Sequence, residues 1–190
     1  WLMGFFYSLP KNEIWDDLGT ISARLPSALG SLLLMLMIGD TLFCWPQRGG
    51  KQFFTPIVAS LSFALSPFII IWSRAAVSDA LLTGTLGISL LLFWRRMASE
   101  NKDQCISAWV FLGLAILSKG PVALVLSTLT ITSFLIIQKD WKTLLYKINP
   151  KKGFLITTLL SVPWYLLELL KEGKPFWDNF FGYHNFQRYT

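Results

Sequence analysis

Histidine, cysteine and charge are all scarce in this chain: one His, two Cys and 15% Asp, Glu, Lys and Arg among 190 residues. So little charge, beside 53% hydrophobic residues and a mean hydropathy of +0.50, excludes an ordinary soluble domain and leaves an integral membrane protein. A lone histidine supports no metal site, which needs several ligands. Cys44 and Cys105 fall at helix ends predicted to face the cytoplasm, where thiols stay reduced, so no disulfide is expected. The absence of CxxC, HExxH, a phosphate-cradling glycine loop and a nucleophile elbow removes the common soluble chemistries. There is no low-complexity tract and no internal repeat of soluble-array length, and the first residues do not read as a signal peptide. Trp1 reads as an internal position, and the chain is expected to be part of something longer.

What is present is a series of apolar runs. Spans are predicted over 25–45, 54–73, 77–94, 104–118, 121–138 and 153–170, giving an all-α, polytopic transmembrane bundle of six helices over 25–170. Residues 1–24 mix aromatics with Glu13, Asp16, Asp17 and Pro10, the pattern of a juxtamembrane segment in the interface. Residues 171–190 carry Phe176, Trp177, Phe180 and Phe181 at helical spacing, as an amphipathic interfacial helix would. The net charge of +6 does not imply a nucleic-acid partner, because the basic residues are not gathered on one soluble face. Loops 46–53, 95–105 and 139–152 hold ten of the 17 Lys and Arg residues, so the positive-inside rule makes them cytoplasmic. Both ends of the chain, and the connections at 74–76 and 119–120, are then expected outside.

Lys119 is the only charge between Ile106 and Gln138. It stands in Ser118-Lys119-Gly120-Pro121, where Gly suits the position past a helix end and Pro the first turn of the next helix. A helix over 104–118 would span about 22 Å against a hydrocarbon core of about 30 Å, so the tip of this hairpin should be recessed. A recessed ammonium either meets an anion in a watery cavity, phosphate or carboxylate, or snorkels to the interface and complements the helix dipole. Arg24, Arg74, Asp79, His184 and Arg188 are predicted on the same face, at helix ends. Ser78 and Asp79 also suit a helix N-terminus, which gives that pair a purely structural reading. His184 and Arg188, four apart, would point the same way on a helix. Together the set suits a polar cavity for an anionic ligand.

Five runs occur in a fixed order: ISARLPSALG (21–30), RAAVSDALLT (74–83), LAILSKGP (114–121), PWY (163–165) and FGYHNFQRY (181–189). In them the chain resembles the bacterial members of the protein mannosyltransferase and aminoarabinose transferase family, integral-membrane glycosyltransferases. The resemblance implies a GT-C fold and transfer of a sugar from a polyprenyl-phosphate donor to a lipid or protein acceptor at the outer, periplasmic face of the bacterial inner membrane. It further implies that Lys119, His184 and Arg188 lie near the donor phosphate or its cavity; Arg24, Arg74 and Asp79, expected on the same face, are read from their positions alone as the wall of that cavity. It fixes no cofactor, and leaves room for a divalent metal ion. The family's acidic motif, which supplies the catalytic base, would precede Trp1, so no catalytic residue is assigned here and the chain alone is expected to be inactive. Two other classes remain in play. A secondary-transporter half would show discontinuous helices and polar groups near the bilayer midplane. In a non-catalytic membrane subunit the outer charges would be only anchors and caps.

Overall fold

Hydrocarbon offers backbone N–H and C=O groups no partner but one another, so a single apolar segment crosses it as a helix. The computed structural model describes residues 20–44, 54–98, 103–138 and 141–173, and every regular element among them is an α-helix. In chain order these are α1 (Thr20–Cys44), α2 (Phe54–Ala64), α3 (Pro67–Arg74), α4 (Ser78–Ala98), α5 (Asp103–Lys119), α6 (Pro121–Gln138), α7 (Trp141–Ile148) and α8 (Pro150–Glu172). The protein is an all-α membrane helix bundle. By length and composition α1, α6 and α8 can each cross a membrane, and α2 with α3 can supply a fourth crossing as one bent span. Helices thus lie over each of the six expected spans, but among the described residues only these four crossings are long and apolar enough; α4 is not among them, and α5 is a shorter apolar helix.

Two units divide the chain, Trp1–Leu91 and Leu92–Thr190, with the boundary inside α4. In the first, α1 packs against α2, α3 and the opening turns of α4. The contact with α4 is made by small residues: Gly84 lies directly over the Gly30 backbone, and Gly87 faces the Leu34 side chain. Where lipid tails are as apolar as leucine, such close backbone approach is what holds helices together. The single span expected over 54–73 is instead broken, with α2 and α3 bent by 59°. Pro67 is the cause, since it supplies no N–H to the helical ladder and restricts Ser66 before it. Ser66 sits at φ −59°, ψ 126°, outside the helical region. Pro26 and Pro163 lie within α1 and α8 without ending them.

The second unit is built on α5 and α8. Gly113 faces Leu160, the Thr157 hydroxyl donates to the Trp109 carbonyl at 3.2 Å, and the Tyr165 hydroxyl donates to the Ile116 carbonyl at 2.7 Å. Partners advance together along both helices, so α5 and α8 run parallel, while α6 returns antiparallel after the Gly120 turn. Between α6 and α8 the structure holds a helix the sequence reading missed: α7, inside the region taken as the loop 139–152. A left-handed residue, Asn149 (φ 49°, ψ 67°), joins α7 to α8, and Pro150 starts α8. Asparagine tolerates that region better than other side-chain-bearing residues, and proline suits a first helical turn.

Candidate functional site at the Lys119 turn

The hairpin expected around Ser118-Lys119-Gly120-Pro121 is present. Lys119 is the last residue of α5 and Pro121 the first of α6. Gly120 takes φ 70°, a left-handed conformation in which a side chain would strain the turn, and its N–H closes on the Ile116 carbonyl at 2.6 Å. The 17 residues of α5 span about 26 Å, still short of a hydrocarbon core of about 30 Å. Lys119, at the end of this short apolar helix, is half-buried within the protein.

A second run singled out in the sequence, Pro163-Trp164-Tyr165, meets this turn. The Ile116 carbonyl that receives the Gly120 N–H also accepts the Tyr165 hydroxyl, so both of its lone pairs are engaged and α8 is pinned to the end of α5. The Ser118 hydroxyl is turned back onto the Leu114 carbonyl at 2.9 Å, within its own helix. The Lys119 backbone is thereby held by a left-handed glycine, a tyrosine from another helix and the start of α6. Such a support fixes the backbone from which the flexible lysine side chain starts.

Arg24, Arg74 and Asp79 belong to the first unit, which brings them to one end of itself. Arg24 lies early in α1, one turn before Ser27, whose hydroxyl donates to the Val77 carbonyl at 3.2 Å. That carbonyl sits in the link 75–77, with Arg74 in the last turn of α3 before it and Asp79 in the first turn of α4 after it. Arg24 and Arg74 are exposed and Asp79 is half-buried. Lys119 belongs to the second unit. His184 and Arg188 lie outside the described residues, as do Asp16 and Asp17. Among the described residues no three His, Cys, Asp or Glu side chains gather as metal ligands. Sequence reasoning missed the role of Tyr165, because a hydrogen bond between residues 49 apart leaves no local spacing to detect.

The sequence model of the dolichyl-phosphate-mannose-protein mannosyltransferases matches residues 1–167. The chain belongs to this family. It is 26% identical over 164 residues to the undecaprenyl phosphate-α-4-amino-4-deoxy-L-arabinose arabinosyl transferase of Erwinia tasmaniensis, covering 84% of this chain and 28% of that protein. It is 33% identical over 173 residues to an uncharacterized protein of Aquifex aeolicus, covering 89% of this chain and 36% of that one. Among solved structures it is similar to ArnT from Cupriavidus metallidurans in the apo state, with a TM-score of 0.80 at 22% identity over 97% of this chain and 33% of that one. That likeness establishes the fold. The chain thus spans about a third of the length of the relatives it matches. Of the five runs named in the sequence, the family match includes the four up to Tyr165 and ends before 181–189.

Proposed function

We propose that this chain is the donor-facing membrane part of a glycosyltransferase that moves a sugar from a polyprenyl phosphate to an acceptor at the outer face of the membrane. The observation that carries the reading is Lys119 at a pinned, recessed turn within the matched region of a transferase family. In such a reaction the bond from the anomeric carbon to the lipid phosphate oxygen breaks, and an acceptor oxygen forms the new one. The acceptor's proton passes to a general base, and the leaving phosphate gains negative charge. A fixed cation in a site of low dielectric stabilises that developing charge, which is the role we give Lys119. His184 and Arg188 would join it at the donor phosphate. The undecaprenyl-phosphate donors in the names of the relatives support that class of lipid.

The test is transfer itself. In the complete protein, reconstituted in vesicles with a donor radiolabelled in its sugar, label should move from prenyl phosphate to an acceptor from a cell-envelope extract. Label that stays on prenyl phosphate with every acceptor offered would end the transferase reading. The transporter alternative has one feature in its favour, the broken α2–α3 span. Its break runs through Leu65, Ser66 and Pro67 and places no charged residue there, unlike the ion-coupled half-helices of transporters.

Charge supports an orientation with Lys119 outside. In the second unit Arg95, Arg96, Lys142, Lys147, Lys151 and Lys152 lie on the end of α4, on α7 and on the start of α8, at the end away from Lys119. Single cysteines replacing Lys142 and Glu172, both exposed, in a Cys44→Ser background should react with an impermeant maleimide from opposite sides of the membrane. Labelling from one side only would overturn the topology, and with it the periplasmic placement of the turn.

A further inference from the structure

At the other end of the second unit, a cavity of about 570 Å³ opens where α4, α5, α7 and α8 meet. The Cys105 thiol and the Trp109 indole N–H, a turn apart on α5, both donate to the Ile148 carbonyl, at 2.9 and 3.0 Å. Trp109 is wedged edge-on against Phe93 with ring centres 4.9 Å apart, and Gly153 leaves its ring room on the other side. Around this floor the end of α4 and the end of α7 clamp each other. The Arg96 Nε–H donates to the Lys147 carbonyl at 3.2 Å, and the Lys147 ammonium donates to the Met97 carbonyl at 3.2 Å. The rim is therefore a built structure and not a chance approach of long side chains.

The lining has two chemistries. Arg96, Lys147, Lys151 and Lys152 bring four positive charges, and none of the described lining residues is acidic. Ile106, Leu145 and Ile156 make an apolar side. Ile106 is 56% exposed, and Phe154 and Leu155, one turn into the membrane-spanning α8, are each 68% exposed. A cationic rim beside an apolar wall, at the end of a span, matches a molecule with an anionic head and hydrocarbon tails. A soluble anion would leave the apolar wall unused.

We propose that this cavity binds the phosphodiester headgroup of an anionic membrane phospholipid, with Lys151 and Lys152 at the phosphate and the acyl chains running along α8 past Ile106 and Phe154. Basic pockets between helices at a membrane surface hold such headgroups, and the volume suits one. The site is separate from the Lys119 turn: Cys105 and Lys119 stand 14 residues apart on one helix, about 21 Å at 1.5 Å per residue. It does not depend on the transferase reading.

Native mass spectrometry of the complete protein, delipidated in detergent, tests the proposal with phosphatidylglycerol, phosphatidylcholine and inorganic phosphate as probes. Phosphatidylglycerol should bind in preference to phosphatidylcholine, and millimolar inorganic phosphate should not displace it. The double variant Lys151→Gln/Lys152→Gln should bind it roughly tenfold to thirtyfold more weakly, given about 1 kcal/mol per basic residue near a charged surface. Lys171→Gln, at the far end of α8, should bind like the wild type. Equal binding of the two lipids, displacement by phosphate alone, or a double variant indistinguishable from wild type would each overturn the proposal. The first two outcomes are read on the unaltered protein, so they stand even if the variant misfolds.

Discussion

Lys119→Ala in the complete protein is expected to weaken binding of the polyprenyl-phosphate donor tenfold to a hundredfold. A hydrogen bond from a charged group is worth about 1.5 to 3 kcal/mol, which is the loss expected when the ammonium proposed to meet the donor phosphate is removed. The structural contribution of the same residue is smaller: a cation in the last turn of a helix adds about 0.3 to 1 kcal/mol through the dipole. The two effects separate in the measurement. Donor affinity should fall by more than stability does, and Lys119→Arg should recover part of it by restoring charge with a different geometry. Lys142→Ala, on the exposed face of α7, should leave donor affinity unchanged. Equal donor affinity for wild type and a folded Lys119→Ala protein would make this lysine a snorkelling cap and remove the donor site from the turn.

That turn was legible in the sequence because its chemistry is local. Gly120 and Pro121 stop one helix and start another wherever the rest of the chain goes, and a single lysine inside 33 residues of apolar sequence is conspicuous. The break at Leu65–Ser66 was legible only in part: Pro67, like Pro26 and Pro163, suits a kink or a helix start, but apolar residues continue through it, so 54–73 reads as one span. Pro26 and Pro163 pass; Pro67 breaks. What decides between them is whether neighbouring groups re-satisfy the freed backbone, which is tertiary information. Helix α7 was hidden by its lysines: its eight residues read as part of a basic loop, although Trp141, Leu144, Leu145 and Ile148 recur at helical spacing. The family-level reading came from five short runs in order, and four of them fall within the family match. The structure adds why two of those four belong together, because Tyr165 closes on the carbonyl that caps the Lys119 turn.

Gly84→Leu is expected to be the most damaging single substitution in the first unit, and Gly84→Ala already destabilising. A Cβ at position 84 would stand 2.6 Å from the Gly30 carbonyl oxygen, 2.7 Å from its carbon and 2.9 Å from its Cα. All three are backbone atoms, so nothing can rotate out of the way, and α1 and α4 must move apart along the whole crossing. Overpacking of this kind costs about 1 to 3 kcal/mol for small additions. Against it stands the gain in helix propensity from glycine to alanine, about 1 kcal/mol, which offsets the smaller end of that range but not the rest. The partner glycine supplies the control. A Cβ at Gly30 would meet Leu81 Cδ1 at 3.5 Å and the Leu81 Cα at 3.6 Å, ordinary contact distances. Gly30→Ala should therefore be neutral or slightly stabilising, although it lies at the same crossing and removes the same kind of residue. Thermal unfolding of the complete protein in one detergent distinguishes the pair: the midpoint should fall by a few degrees for Gly84→Ala, further for Gly84→Leu, and not at all for Gly30→Ala. Equal midpoints for the two alanine variants would mean that α1 and α4 do not approach backbone to backbone at Gly84, and that the small residues of this crossing act through helix propensity alone.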